Sequence, residues 1–156
     1  MGRAIAETLV AEGLLAELHP VEVLGALGEF DVAVIGSGVY VGRWLEPARR
    51  FVERHAEQLA AMPVWLFSSG PLGEKDPQPA GDPTDVAALV NQVRPRAHRV
   101  FPGALRREGL GLMERGVVRM VGAPYGDFRD TGAIHAWAHE IAAELRQPVG
   151  AVPGRR

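Results

Sequence analysis

The apolar pattern along the chain predicts three strands. The segment "FDVAVIGS" (Phe30–Ser37) is a run of apolar residues, several of them β-branched, with little alternation, which is typical of a parallel strand covered on both faces. The segment "PVWLFSS" (Pro63–Ser69) predicts a second buried strand and "AHRVFPG" (Ala97–Gly103) a third strand. The segment "LLAEL" (Leu14–Leu18) is a shorter candidate strand.

Helical periodicity fills the intervals between these strands. It predicts helices over about Arg3–Glu12, Leu45–Ala61, Thr84–Val93 and Asp130–Gln147, and a glycine-interrupted helical stretch over Leu105–Val121. The last long helix has an apolar face made of Ile134, Trp137, Ala138, Ile141 and Leu145. Strands alternating with helices predict an α/β fold, a doubly wound parallel sheet in three layers. We expect one domain over residues 1–147 and a flexible Pro- and Gly-rich tail over residues 148–156.

Charge and cysteine content exclude several function classes. The net charge is −2, from 17 basic and 19 acidic residues, so no basic field for nucleic acid is expected. The absence of cysteine excludes disulfides, thiolate metal sites and cysteine nucleophiles. No apolar stretch approaches the roughly 20 residues of a transmembrane span, and we expect a cytoplasmic protein.

The glycine-rich stretch "IGSGVYVGRW" (Ile35–Trp44) predicts a turn between a strand and a helix. Its glycines loosely follow the dinucleotide fingerprint G-x-G-x-x-G, but the spacing differs by one and no acidic residue ends the next strand. A plain turn that holds no ligand is the simplest alternative. A third interpretation pairs this stretch with "SSGPLG" (Ser68–Gly73), because both follow neighbouring parallel strands at their carboxyl ends. A flat heterocycle with polar edges would fit between two such loops.

These two loops, in order with "VFPGAL" (Val100–Leu105) and "APYGDFRD" (Ala123–Asp130), resemble the flavodoxin-domain family. The nearest branch is similar to the menaquinone-dependent protoporphyrinogen oxidases and their bacterial relatives. The resemblance implies a flavodoxin-like fold with FMN at the carboxyl edge of the sheet. It implies two loops against the isoalloxazine ring, the first formed by Ser37, Gly38, Val39 and Tyr40 and the second by Ser68, Ser69, Gly70 and Pro71.

The function that the resemblance implies is an FMN-binding oxidoreductase or electron-transfer protein with a redox partner. Two alternatives stay open: a quinone-dependent protoporphyrinogen oxidase-type enzyme, and a flavin-free interaction domain that keeps the fold. The family begins with a strand and a Ser/Thr-Gly phosphate loop, whereas Met1 falls where that loop would end. We therefore expect the first strand to be absent, FMN to bind weakly or not at all, and the exposed edge of "DVAVIGS" to favour a homodimer.

Three further groups of residues have both a functional and a structural interpretation. His135 and His139 have the i, i+4 spacing of metal ligands, but a solvated helix surface explains them without a metal. Asp127 and Asp130 could form a carboxylate pair, although a turn and a helix cap are the commoner explanation. The arginines of the Leu105–Val121 stretch would suit peripheral contact with a membrane or a quinone, or packing against the sheet.

Overall fold

The computed structural model describes residues 1–40, 42–70, 86–105 and 126–147. The chain forms two compact units, Met1–Leu18 with Asp130–Arg156, and His19–Arg129. The predicted tail over residues 148–156 and most of the predicted Leu105–Val121 helix lie outside the described residues. None of the helices within the described ranges is long and apolar enough to span a membrane.

The first unit is a pair of helices, α1 (Gly2–Ala11) and α5 (Thr131–Arg146). Both agree with the periodicity of the sequence. The buried side chains are Ile5, Thr8 and Leu9 of α1, and Ile134, Trp137, Ala138, Ile141 and Ala142 of α5. Asp130 caps α5, because its Oδ1 accepts a hydrogen bond from the Ala133 amide at 2.9 Å. The structure therefore confirms the cap interpretation of Asp130.

Polar contacts fix the register of these two helices. The Thr8 hydroxyl donates to the Ala4 carbonyl at 2.8 Å and lies 2.6 Å from His135 Nδ1. The Glu12 carboxylate, at the end of α1, lies 2.8 Å from His139 Nδ1 and also pairs with Arg146. Arg146 bonds the Glu12 carbonyl as well. The carboxyl end of α1 is thus held to the last turns of α5.

The second unit is built on a four-stranded sheet in the order β2-β1-β3-β4. The strands are β1 (Ala33–Tyr40), β2 (Arg43–Trp44), β3 (Val64–Ser69) and β4 (Ala97–Phe101). Strands β1, β3 and β4 are parallel, and β2 is antiparallel to β1. The short strands β5 (Ala104–Leu105) and β6 (Gly126–Asp127) form a separate antiparallel pair. The three strands predicted from the apolar segments are all present.

Helices α2 (Glu46–Arg54), α3 (Ala56–Ala60) and α4 (Val86–Val93) complete the second unit. Their apolar side chains pack with one face of β1 and β3 in a core that includes Ile35, Phe51, Val52, Leu59, Leu66 and Leu89. The single helix predicted over Leu45–Ala61 is divided at His55, whose φ and ψ are −106° and 17°. The His55 ring is buried against Phe51, with 4.7 Å between ring centroids. Its Nε2 has no hydrogen-bond partner among the described residues.

The prediction of a strand over Leu14–Leu18 is wrong, because this segment has no regular structure. No described strand is hydrogen-bonded alongside it. Leu15 and Leu18 are exposed, so the apolar pattern of the segment does not lead to burial within the chain. A strand needs a ladder partner, and the sequence pattern alone does not supply one.

Gly36 in the middle of β1 lies under the ring of Phe67. A Cβ at Gly36 would come within 2.0 Å of Phe67 Cζ, so a larger residue could not occupy this position without moving the ring. The Phe67 ring is buried and makes an edge contact with Phe101, with 6.4 Å between centroids. Glycine at position 36 is therefore required by packing on the sheet, whereas the sequence suggested a turn.

We expect the substitution Gly36→Ala to destabilise the protein by about 1–3 kcal/mol, since the added methyl group overpacks the contact with Phe67. The matched control is Gly38→Ala, where the added Cβ would lie 3.5 Å from the Leu45 side chain, an ordinary contact. Urea unfolding of both variants measures the difference. Equal stability of the two variants would show that the Phe67 ring does not constrain Gly36.

The ion-pair cluster at Glu12 predicts a loss of stability in acid. Hydrogen bonds from Arg146, and then from His139, lower the pKa of Glu12 below its ordinary value of 4.5. The carboxylate thus stabilises the fold at pH values above 4.5, and this contribution is lost as the pH falls through the lowered pKa. Thermal unfolding of Glu12→Gln should depend less on pH between about pH 3 and 6 than that of the wild type. The variant Glu7→Gln on the exposed face of α1 should keep the wild-type slope, and a wild-type slope in Glu12→Gln would contradict the assignment.

One edge of β1 lacks a ladder partner over Val34 and Gly36 within the described part of the chain. The Ala33 amide donates to the Pro63 carbonyl, so alternate residues from Ala33 bond towards β3. Val34 and Gly36 direct their amides to the opposite edge, which β2 covers only near Gly38 to Tyr40. Such an edge favours pairing with another strand.

We expect this edge to cause self-association. Val34→Pro removes only an outward N–H and should reduce association while the fold is kept. Ile35→Pro removes an amide that bonds to β3 and should unfold the protein. Light scattering coupled to size-exclusion chromatography, with circular dichroism as the check on folding, measures both effects. A wild-type chain that stays monomeric at high concentration would refute the expectation.

Candidate functional site

The stretch "IGSGVYVGRW" forms a β-hairpin in the structure. Strand β1 continues through Gly36 and Gly38 to Tyr40, and β2 returns beside it with Val39 opposite Trp44 and Tyr40 opposite Arg43. Val41 lies outside the described residues, and Gly42 has a φ of 71°, a left-handed conformation that glycine adopts easily. The prediction of a strand-to-helix turn is thus wrong, because helix α2 begins only after the hairpin has closed.

A hydroxyl group closes this hairpin at its base. Ser37 Oγ accepts a hydrogen bond from the Leu45 amide at 3.0 Å and donates to the Gly38 carbonyl at 2.8 Å. The Leu45 amide also lies 3.2 Å from the Gly38 carbonyl. Because Ser37 is buried and both roles of its hydroxyl are used, this side chain holds the hairpin rather than presenting a free polar group.

The second predicted loop leaves β3 at Ser69 and meets the first loop at Gly70. Gly70 has a φ of 143°, which side chains rarely allow, and its amide donates to the Phe101 carbonyl at 2.9 Å. A Cβ at Gly70 would lie 3.3 Å from Val39 Cβ. Gly38 is also paired with Ser69 in the parallel register of β1 and β3. The two loops that the sequence paired therefore lie side by side.

The resemblance implies that Ser68 contacts the flavin ring, and in the structure its side chain lies in the interior of the protein. It is the fifth residue of β3, and its side chain is fully buried. Its Oγ accepts a hydrogen bond from Trp44 Nε1 at 2.7 Å and lies 2.8 Å from His98 Nε2. A direct contact of Ser68 with a ligand stays a prediction, since its hydroxyl already has two partners.

Sequence reasoning missed Trp44 and His98 as members of this polar chain. The sequence places Trp44 at the end of the glycine-rich stretch and His98 within a predicted strand, and neither position indicates a hydrogen bond to Ser68. The signal for His98 is a polar residue next to Arg99 in a predicted buried strand. Its partner, however, depends on the register of β3 and β4, which pairs Leu66 with His98 and Ser68 with Val100.

The remaining predicted loop residues are described only in part. Tyr40 ends β1 and its backbone pairs with Arg43, but its side chain is outside the description. Pro71 lies outside the described residues. Val39 is half-buried at the junction of the two loops.

The residues with metal-ligand spacing engage neighbouring side chains instead. His135 contacts Thr8, and His139 contacts Glu12. No group of three or more potential metal ligands occurs among the described residues. Asp127 pairs with Arg129, and this carboxylate raises the pKa of the guanidinium. The two aspartates thus have separate partners.

Comparison with known proteins agrees with the parallel sheet and its paired loops. The sequence model of the flavodoxin domain matches residues 2–132, which covers all of the described sheet and both loops. Curated proteins gave no significant match. With an α/β fold of the expected type and a match over most of its length, the chain belongs to the flavodoxin-domain family.

Proposed function

We propose that this protein binds FMN through the two loops at Val39 and Gly70 and takes part in electron transfer. The observation that carries the proposal is the close approach of Gly70 to Val39, at the carboxyl ends of adjacent parallel strands. Ligands of open α/β sheets bind at this edge. Membership of the flavodoxin-domain family supports a flavin as the ligand.

The residues at this junction fit a flat ring. Gly38 and Gly70 have no side chains; Gly38 is half-buried, and Gly70 is buried beside Val39. A flat ring could therefore approach the Gly38 backbone closely. Val39 supplies an apolar surface beside them. A bound flavin supplies the redox chemistry, and the loops would orient it and exclude water through burial and backbone hydrogen bonds.

The identity of the electron acceptor and of any substrate is a more specific part of the proposal. The sequence resemblance to menaquinone-dependent protoporphyrinogen oxidases favours a quinone as redox partner, with peripheral membrane contact as its consequence. This branch rests on resemblance alone, because no described residue identifies a porphyrin. A flavin-free interaction domain is the alternative of a different class. It is favoured by one observation, namely that the Ser37 and Ser68 hydroxyls are both used inside the protein.

Titration with two flavins tests the proposal. None of the eight predicted loop residues is basic, so this part of the site offers contacts to the ring rather than a cation for the phosphate. We therefore expect titrations followed by the quenching of flavin fluorescence to give Kd values for FMN and riboflavin within about threefold of each other, a difference below 1 kcal/mol. Tight binding of FMN but not riboflavin would mean that a phosphate site exists elsewhere, and binding of neither flavin would overturn the proposal.

A glycine pair provides the control for the location of the site. Gly70→Ala strains a backbone with a φ of 143° and adds a methyl group against Val39, and it should weaken flavin binding by about tenfold. Gly25→Ala adds the same methyl group in open space and should leave the Kd unchanged. Circular dichroism confirms that both variants fold. Equal Kd values in the two variants would place the flavin elsewhere.

A further inference from the structure

A chain of hydrogen bonds, buried at Trp44 and Ser68 and half-buried at His98, crosses the sheet next to the proposed site. It runs from Trp44 in β2 through Ser68 in β3 to His98 in β4. Trp44 is 3% exposed and Ser68 is 0% exposed, so neither group can exchange its partner for water. A broken link in this chain would leave a buried polar atom unpaired, which is costly.

The chemistry of the indole fixes one end of the chain. An indole N–H only donates, so Ser68 Oγ accepts from Trp44. The same oxygen lies 2.8 Å from His98 Nε2, and a hydroxyl can donate one hydrogen bond and accept two. The tautomer of the His98 ring therefore decides whether Ser68 donates to Nε2 or accepts from it.

The chain is tied to both loops of the proposed site. Trp44 stands opposite Val39 in the hairpin, and Ser68 precedes Gly70 by two residues on β3. The indole hydrogen bond thus links β2, the strand paired with Val39, to β3, the strand that leads to Gly70. These are the two residues whose close approach defines the junction of the loops.

We propose that Trp44 is a positioning residue for the flavin site, acting through Ser68, whose hydroxyl is also hydrogen-bonded to His98. This inference rests on the proposed function. Trp44 holds the hairpin in the position in which Val39 approaches Gly70. It acts on the site without being a ligand contact itself.

The test compares Trp44→Phe with Trp65→Phe. Both replace a buried indole by a smaller ring, but Trp65 contacts the Arg96 guanidinium through its ring face, 5.3 Å from the centroid, at the opposite end of β3. Trp44→Phe should weaken riboflavin binding by about five- to tenfold, because binding must then order the hairpin that this hydrogen bond holds in place in the free protein. Trp65→Phe should lower stability through packing but leave the Kd within about twofold.

A double-mutant cycle tests the hydrogen bond between Trp44 and Ser68. Ser68→Ala removes the acceptor of the buried Trp44 N–H and should lower stability in urea unfolding. Trp44→Phe loses packing in either background, but only in the wild type does it also break this hydrogen bond, so it should cost less stability in the Ser68→Ala background. An equal cost of Trp44→Phe in both backgrounds would overturn the role of the Trp44–Ser68 hydrogen bond.

Amide exchange in the flavin-free protein separates this inference from the proposed function. The Leu45 amide reports on the hairpin base, because it bonds Ser37 and Gly38. Trp44→Phe should speed its exchange by about tenfold, and Trp65→Phe should not. If the wild type binds no flavin, the proposed function fails while this readout still decides whether Trp44 positions the hairpin. Wild-type Kd and wild-type Leu45 exchange in Trp44→Phe would together refute the positioning role.

Discussion

The parallel register between β1 and β3 is the constraint on which the rest of the site depends. It places Ser37 opposite Ser68 and Gly38 opposite Ser69, so the two strands end at the same edge. The pairing stops at Gly38 and Ser69, where β3 ends, and β1 continues for two residues into the hairpin. A shift of one residue would turn every side chain of β1 to the opposite face of the sheet, and would remove the room that Gly36 leaves for Phe67. The packing of the sheet and the position of the loops are therefore specified together.

Buried polar groups restrict the geometry of the site further than the strand register does. Apolar burial specifies the face of a strand but tolerates small displacements along it, whereas a hydrogen bond between buried groups requires one geometry. Ser37 closes the base of the hairpin, and Ser68 connects the hairpin to the sheet through Trp44. Ser37 and Ser68, which the sequence presents as ligand contacts, thus hold the backbone of the site in place through buried hydrogen bonds. His55 is the exception, since its buried Nε2 has no hydrogen-bond partner within the part of the chain that the structure describes.

The strands and outer helices could be predicted from the sequence because their signals are local. The apolar runs around Ile35, Leu66 and Val100 predicted three strands, and the spacing from Ile134 to Ile141 predicted α5. The hairpin could not be predicted in this way, because the glycines of "IGSGVYVGRW" indicate a turn wherever they occur. Gly36 is needed for a ring on the neighbouring strand, which is a non-local reason. The break at His55 and the Trp44–Ser68–His98 chain likewise depend on tertiary packing, and periodicity contains no information about it.

The hairpin base has a consequence for how this site can diversify. Ser37, Gly38 and Leu45 lock the two strands below the turn, and only two residues connect Tyr40 to Arg43. Insertions or exchanges in this connection would extend outwards from a closed base, so the cost of a longer loop grows slowly with its length. The strands beneath would keep their pairing. The fold thereby separates a tip that can vary during evolution from a frame that cannot, and new ligand preferences can arise at the tip while the sheet stays the same.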